Sequence, residues 1–170
     1  MKQILTPETA PTMYSGRALI INDAGLTPIV QRPLSSHNNP GLWEIPGGKI
    51  EELDLRVGIA REVLEEVGIE VSVYPELILT EDYILPPDSK YPGVRRLGVC
   101  ALAKTIEPYP EVVPQREEVI NHDWVTIEDL LLRPDITKTT RSSVITLGEY
   151  VIESYYPDLF NYPVLRQSSN

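Results

Sequence analysis

The chain has 170 residues, of which 42% are apolar and 24% charged, the proportions of an ordinary globular domain. Its formal net charge of −10 argues against nucleic-acid polymers and anionic membranes as partners, because both require clustered lysine and arginine. No apolar run approaches the roughly 20 residues that span a bilayer, and one cysteine cannot form a disulfide framework within the chain.

These limits predict a single domain over residues 1–170, with a core over residues 15–157 and short extensions at both ends. The segment before Ser15 is polar and contains proline, so it has no apolar signal core. Cys100 lies in an apolar run and is expected to be a buried hydrophobe, which agrees with a reducing compartment. We therefore expect a cytoplasmic protein.

The first elements along the chain are predicted to be strands. Residues 18–21 and 28–31 are apolar, and Asn22, Asp23 and Gly25 between them favour a hairpin turn. Residues 43–45 then form a short strand that ends at a glycine turn, Gly47-Gly48.

Residues 55–67 predict an amphipathic helix. Asp54 is a suitable N-cap, and Gly68 suits the left-handed position that ends a helix. Three acids share one side of this helix, namely Glu62, Glu65 and Glu66. The other side carries an apolar stripe that consists of Val57, Ala60, Val63, Leu64 and Val67.

The second half of the chain combines strands with a second helix. A strand interrupted at Pro75 is predicted over residues 70–85, followed by a loop over 85–93 that could cover a substrate. A clear strand over 95–106, an irregular stretch over 107–115 and a brief strand over 122–125 come next, and then a helical turn over 126–130. A helix over 140–155 is indicated by Val144, Leu147, Val151 and Tyr155. This order favours an α/β fold with a mixed sheet between helices.

The acids of the first helix also suggest chemistry. A solvated acidic face is the simplest interpretation of an E-x-x-E-E pattern taken alone. The preceding glycines and the adjacent Arg61 favour a metal site instead, because magnesium in proteins takes one or two carboxylates together with substrate phosphates.

The run from Gly41 to Ile69 resembles the Nudix box, G-x5-E-x7-R-E-U-x-E-E-x-G-U with U aliphatic. The second half matches at every fixed position, which are Arg61, Glu62, Val63, Glu65, Glu66, Gly68 and Ile69. The first half is one residue short: counting from Gly48 puts Asp54 at the loop glutamate, and counting back from Arg61 puts Leu53 there. We expect Asp54 to replace that glutamate in supporting the loop.

The resemblance implies the α/β/α Nudix fold and a magnesium-dependent hydrolase, with manganese as an alternative metal. Metal ligands would be Glu62, Glu65 and Glu66, with a backbone carbonyl of Gly47 or Gly48. Arg61 would orient Glu65 by ion pairing. Many relatives recruit a further acid as ligand or general base, and here Glu117 and Glu118 are the candidates, with Glu118 preferred.

Substrate contacts are predicted less directly. Arg32 and Lys49 flank the glycine turn and could bind phosphates, as could Arg95 and Arg96 after the long loop. Neighbours on a strand point to opposite sides, so only some of these face the site. Tyr83 and Tyr91 could stack on a base, although packing is the commoner role of such residues, and His122 is expected to be structural.

The favoured function is a nucleoside triphosphate diphosphatase of the MutT type that acts on a small nucleotide. An ADP-ribose or nucleotide-sugar pyrophosphatase is one alternative. A module that binds nucleotide but hydrolyses it weakly or not at all is another: the shortened loop motivates it, and the three retained helix glutamates argue against it. Homodimers are common in the family, so a homodimer is an open option here.

Overall fold

The computed structural model describes residues 10–114 and 117–152. The first half contains β1 (Thr12–Ile21), β2 (Thr27–Gln31), β3 (Trp43–Glu44), β4 (Gly47–Ile50) and α1 (Leu55–Val67). The second half contains β5 (Val71–Ile84), β6 (Arg95–Thr105), β7 (Asn121–Val125), α2 (Ile127–Leu132) and α3 (Lys138–Thr146), followed by a π-helix (Leu147–Ile152). None of the helices in these two ranges is both long and apolar enough to cross a membrane.

The strands form two sheets. The larger sheet has the order β4-β1-β6-β5, in which β1 and β6 run parallel and the other pairs are antiparallel. The smaller sheet has the order β3-β2-β7 and is antiparallel. One apolar cluster lies between the larger sheet and α1, and a second includes residues of α2, α3 and the π-helix. The predicted mixed sheet between helices is confirmed.

Helix α1 has the predicted bounds and caps. The Asp54 carboxylate accepts from the Arg56 backbone N–H at 3.0 Å, and Gly68 ends the helix with a φ of 71°. The predicted apolar stripe is partly wrong, because Val57 and Leu64 are exposed. The face that packs on the sheet repeats every four residues instead, through Ile59, Val63 and Val67.

The predicted hairpin is wrong. A tight turn does follow β1, where the Asn22 side chain accepts from the backbone N–H groups of Ala24 and Leu26 at 3.0 and 2.9 Å. However, β1 and β2 belong to different sheets, since β1 pairs with β4 and β6 whereas β2 pairs with β3 and β7. Local turn chemistry was predictable, but the choice of strand partner depends on long-range packing.

The last helix also differs from its prediction. It begins earlier, at Lys138, because the Thr137 hydroxyl accepts from the Thr140 backbone N–H and caps it. The α-helix ends at Thr146 and continues as a π-helix to Ile152. Tyr155 and the predicted end of this helix lie outside the described residues, as do residues 1–9 and the core boundary at residue 157.

The glycine pair lies in strand β4 rather than in a turn. Gly47 is opposite Arg17 and Gly48 is opposite Gly16 of β1. Gly47 has a φ of +151°, and a Cβ there would lie 2.1 Å from the Gly16 carbonyl oxygen. A Cβ on Gly48 would lie 2.1 Å from Glu62 Oε2. Gly47 therefore requires glycine, whereas a larger residue at Gly48 would displace the Glu62 carboxylate, and the pair brings the strand backbone against the acids of α1.

Strand β5 is long and irregular. Its register against β6 shifts between Val73 and Leu77, where Pro75 interrupts the ladder as predicted, and again between Leu79 and Glu81. The second shift places Glu81 opposite Gly98 of β6. Such irregularities re-aim side chains, and here the change directs Glu81 into a cleft.

Candidate active site

The acids of α1, the glycines of β4 and the loop before β7 line one cavity of about 480 Å³, here called the acidic cavity. Its carboxylates belong to Glu62, Glu65, Glu66, Glu117 and Glu118. Arg32, Gly48 and Lys49 also line it, so the structure brings most of the sequence-predicted site together. Lys49 forms an exposed ion pair with Glu51 at 2.7 Å.

Arg61 connects the carboxylates of this region. Its Nη1 donates to Glu65 Oε2 at 2.6 Å, the i,i+4 pair expected on a helix. Its Nη2 lies 2.8 Å from Glu62 Oε1 and donates to the Lys49 carbonyl oxygen at 3.1 Å. Hydrogen bonding to Glu52 above all, and then to Glu62 and Glu65, raises the pKa of Arg61 above its usual value. Arg61 therefore ties the helix acids to the backbone of β4.

The loop-supporting acid is Glu52, not Asp54. Arg61 Nε donates to Glu52 Oε1 at 2.5 Å, and the Arg61 guanidinium holds the pKa of Glu52 at about 2. The expectation for Asp54 was wrong, because its carboxylate caps α1 and pairs with Arg56 at 2.9 Å. The chain thus places a glutamate two positions before Asp54 against Arg61.

Two of the cavity acids are partly withdrawn from water. Burial raises the pKa of Glu66 to about 8, although its Oε2 accepts from the Gly47 backbone N–H at 2.8 Å. Burial also raises the pKa of Glu62, against the opposing effect of Arg61. The charge of Glu118 adds to both increases, so this acid lies within electrostatic reach of both helix acids. Carboxyl groups also outnumber cations among the residues that line the cavity, five against Arg32 and Lys49.

The donor set fits a hard divalent cation. Carboxylate and backbone carbonyl oxygens are the ligands that magnesium takes, and a cation would compensate the burial of Glu62 and Glu66. In the two described ranges, no three His, Cys, Asp or Glu side chains already converge on one ion position. The reason is visible in the contacts: Arg61 holds Glu62 and Glu65, whereas the Gly47 N–H holds Glu66.

A second cavity of about 480 Å³ adjoins the first at Arg32, which lines both. Three guanidinium groups line it, those of Arg17, Arg32 and Arg96, and it is here called the arginine cleft. Its rim is formed by residues 37–39 and by the 85–93 loop, through Leu85, Pro86, Asp88 and Ser89. The predicted substrate-side loop therefore borders the cleft.

A buried carboxylate joins the two cavities. Glu44 Oε2 accepts from Arg17 Nη2 at 2.9 Å, and Glu44 Oε1 accepts from Arg32 Nη1 at 2.5 Å. Only 4% of the Glu44 side chain is exposed. Burial by itself would raise the pKa of Glu44, but the two guanidinium groups outweigh that effect and hold the pKa below its usual range. Glu44 thereby fixes both arginines where the two cavities meet, a place here called the junction.

Several predicted residues lie elsewhere. Arg95 is on the opposite face of β6 from the cleft and pairs with Asp82 at 2.8 Å, so the structure brings Arg96 rather than Arg95 to the cleft. Tyr83 lines the cleft, and Tyr91 lines a neighbouring cavity of about 470 Å³. His122 is exposed on β7. Cys100 is buried, and burial raises the pKa of its thiol to about 12.

Sequence reasoning missed four charged residues that shape these cavities. They are Arg17, Glu44, Glu52 and Glu81. Arg17 precedes the apolar run of β1, and Glu44 lies between Trp43 and Ile45, so a charge beside buried apolar residues was a usable signal. Glu52 and Glu81 offered no such signal, because neither is next to a buried apolar residue in the chain.

Comparison with known proteins agrees with this geometry. A family model described as "NUDIX domain" matches residues 15–146. The chain is 34% identical over 83 residues to an 8-oxo-dGTP diphosphatase of Proteus vulgaris, a match that covers 42% of this chain and 73% of that protein. It is 44% identical over 57 residues to a CTP pyrophosphohydrolase of Escherichia coli K12, covering 33% of this chain and 42% of that protein.

The fold is also shared with solved structures. A MutT protein from Methanosarcina mazei Go1 superposes with a TM-score of 0.61 at 24% sequence identity, covering 82% of this chain and 94% of that one. Since the family match spans most of the chain and includes the glycine pair, Arg61 and the three helix glutamates, the chain belongs to the Nudix family and is a hydrolase of acid anhydrides.

Proposed function

We propose that this protein is a magnesium-dependent nucleoside triphosphate diphosphatase, which releases a nucleoside monophosphate and pyrophosphate. The observation that carries the proposal is the junction at Arg32, where an acidic cavity suited to metal and phosphates meets a cleft of nucleoside size. Both volumes lie within the roughly 300–1,000 Å³ of small-molecule sites. The named relatives act on 8-oxo-dGTP and CTP, which supports a nucleoside triphosphate as substrate.

The acidic cavity would hold magnesium through Glu62, Glu65 and Glu66 together with the carbonyl oxygen of Gly48. Magnesium bound there would offset the charge of the phosphates and lower the pKa of the attacking water. Arg61 keeps Glu62 and Glu65 beside the backbone of β4 through its ion pairs and its hydrogen bond to the Lys49 carbonyl oxygen. Arg32 and Lys49 line the same cavity and supply positive charge for the remaining phosphate oxygens.

In the hydrolysis, the water oxygen forms a bond to phosphorus while the phosphoanhydride P–O bond breaks. Pyrophosphate leaves with the bridging oxygen, and the water proton passes to a carboxylate. We assign that carboxylate to Glu118, because it lines the cavity and its charge affects both Glu62 and Glu66. Glu117 lines the same cavity, but its charge is not among the main causes of either pKa increase.

The first experiment measures pyrophosphate and phosphate release with magnesium from nucleoside triphosphates, ADP-ribose and a UDP-sugar. We expect turnover of at least one triphosphate and a loss of about 10²–10⁴-fold in kcat for Glu65→Gln. Glu70→Gln is the matched control, since it removes the same charge from an exposed site outside both cavities. Turnover of ADP-ribose or the UDP-sugar without triphosphate turnover would establish the pyrophosphatase alternative.

A second pair of variants tests the general base. Glu118→Gln should lower kcat more than Glu117→Gln does, and its loss should diminish as the assay pH rises and hydroxide becomes more abundant. Equal activity of wild type and Glu118→Gln at every pH would remove Glu118 from the mechanism. Nucleotide binding by the wild type without any hydrolysis would instead favour a binding module.

A further inference from the structure

Two residues that line the arginine cleft form an ion pair that the hydrolysis itself does not use. Glu81 Oε2 on β5 lies 3.0 Å from Arg96 Nε on β6. The hydrogen of this Nε is directed at Ser15 Oγ, 3.2 Å away, so the contact with Glu81 is an ion pair rather than a linear hydrogen bond. The hydroxyl of Thr139 on α3 donates to Glu81 Oε1 at 2.9 Å. Arg96 of β6 and Thr139 of α3 thus hold the Glu81 carboxylate of β5, and Ser15 of β1 holds Arg96.

The backbone is adapted to this pair. Glu81 faces the cleft because the β5 register shifts just before it, and the opposite residue is Gly98. A Cβ on Gly98 would lie 2.8 Å from both Glu81 Cβ and Glu81 Oε2, so a larger residue would displace the carboxylate. The side chains of Glu81 and Arg96 remain 15% and 21% exposed, and both line the cleft. They can therefore contact a bound molecule while staying largely desolvated.

The pair offers complementary hydrogen-bonding groups. Glu81 Oε2 is enclosed, which leaves Oε1 as the acceptor towards the cleft. In residues 10–114 and 117–152, no hydrogen bond engages the two terminal nitrogens of Arg96, so both can donate. A guanidinium donates well to a keto oxygen, whereas a carboxylate accepts from an exocyclic amino group. Partial desolvation increases the cost of leaving either group unpaired.

We propose that Glu81 and Arg96 determine base specificity and select a nucleobase that carries both a keto and an exocyclic amino group, guanine or cytosine. The inference rests on the proposed function, which places the phosphates in the acidic cavity and the nucleoside beyond Arg32. Arg96 donates to the keto oxygen and Glu81 accepts from the amino group. Adenine lacks the keto group and uracil lacks the amino group, so each leaves one member of the pair unsatisfied.

The test compares substrates that differ in one group. GTP and ITP differ only in the exocyclic amino group, which GTP has and ITP lacks. CTP carries an amino group at the pyrimidine position where UTP carries a keto group. In one of these two pairs, we expect kcat/KM for the nucleotide that carries the amino group to exceed that of the other nucleotide at least about tenfold. The pair in which this difference occurs identifies the preferred base. In Glu81→Gln this ratio should fall to within about threefold, and Arg96→Gln should reduce the preference for the keto-bearing base over ATP.

Asp82→Asn is the matched control. It makes the same type of change at the next position of β5 and disrupts an equivalent ion pair, with Arg95, on the other face of the sheet. Its substrate ratios should equal those of the wild type. Thr139→Val removes the hydroxyl that orients Glu81 without altering the ion pair, and it should weaken the preference by a smaller factor. A purely structural role would lower activity on all substrates alike and leave the ratios unchanged.

Binding measurements separate failure of this inference from failure of the proposed function. Equilibrium dialysis with GMP, IMP, CMP and UMP measures the same preference without any hydrolysis. If no triphosphate is hydrolysed but the monophosphates show the expected preference, the proposed function is wrong, whereas the role of Glu81 and Arg96 in base selection is supported. If triphosphates are hydrolysed without preference in either pair, or if Glu81→Gln retains the wild-type ratio, the specificity inference is overturned.

Discussion

The acidic cavity and the arginine cleft lie side by side but are built in different ways. The acidic cavity draws mainly on residues 47–66, which form one strand, one loop and one helix that follow each other in the chain. The arginine cleft draws on β1, β5, β6 and α3, from Arg17 to Thr139. The helix acids of the acidic cavity are therefore local in sequence, with Glu117 and Glu118 added from the loop before β7, whereas the residues of the arginine cleft are assembled by the fold.

The two cavities also differ in charge compensation. In the acidic cavity, five carboxyl groups and only two cations, Arg32 and Lys49, are among the lining residues, and burial raises the pKa of Glu66 to about 8. In the cleft, Glu44 pairs with Arg17 and Arg32, and Glu81 pairs with Arg96. The proposed function therefore has the acidic cavity filled by a divalent cation, whereas each arginine of the cleft already has a carboxylate partner within the protein. The following predictions test this difference.

Removal of divalent metal should have the largest effect. Metal ions contribute several kcal/mol of transition-state stabilisation in such reactions, and each 1.36 kcal/mol is a factor of ten. Chelation should thus lower the hydrolysis rate by at least about 10³-fold, and added magnesium should restore it. Rates measured before and after chelation, with magnesium then manganese added back, provide the check. Hydrolysis that survives chelation undiminished would contradict a cation-dependent acidic cavity.

Loss of the buried carboxylate at the junction should have the next largest effect. Glu44→Gln leaves Arg17 and Arg32 without their shared partner, and breaking a buried pair in this way costs about 3–5 kcal/mol. Urea unfolding should show a decrease of about 3 kcal/mol in the free energy of unfolding. Glu51→Gln, which disrupts the exposed pair with Lys49, should leave that free energy unchanged within error. Equal stability of the two variants would show that the junction charges are not energetically coupled.

Support of the loop should have a moderate effect on activity. Glu52→Gln weakens the strongest partner of Arg61, so Glu62 and Glu65 lose part of their fixed position, and kcat should fall about tenfold. Asp54→Asn should keep wild-type kcat and stability, because asparagine is an equally good N-cap and Asp54 makes no contact with Arg61 among the described hydrogen bonds. A decrease in kcat for Asp54→Asn, with an unchanged kcat for Glu52→Gln, would instead show that Asp54 supports the loop.

Acid stability should show the smallest effect. The pKa of Glu52 is lowered from 4.5 to about 2 in the folded protein, so the unfolded chain binds this proton first as the pH falls. The contribution of the Glu52–Arg61 pair is consequently present above about pH 4.5 and is lost as the pH falls towards 2. The difference in urea midpoint between wild type and Glu52→Gln should shrink over this interval. A constant difference from pH 6 to pH 2 would exclude the pair as its source.

Local sequence patterns predicted the helices and strands better than they predicted which strands pair with each other. The bounds and caps of α1, the break at Pro75 and the strands β6 and β7 followed from periodicity and from turn residues. The pairing of β2 with β3 and β7 did not, since nothing near Asn22 distinguishes a hairpin from a crossing between sheets. Likewise, counting along the shortened loop selected Asp54, whereas the folded loop presents Glu52 to Arg61.

The sequence by itself determined the family and the acid cluster, because Arg61, Glu62, Glu65 and Glu66 lie within two turns of one helix and the helical period alone places them together. Only the tertiary structure decided that Glu52 supports the loop, that Glu44 joins the cavities and that Glu81 meets Arg96. These contacts depend on strand pairing and on a register shift in β5, which are set by packing between residues far apart in the chain.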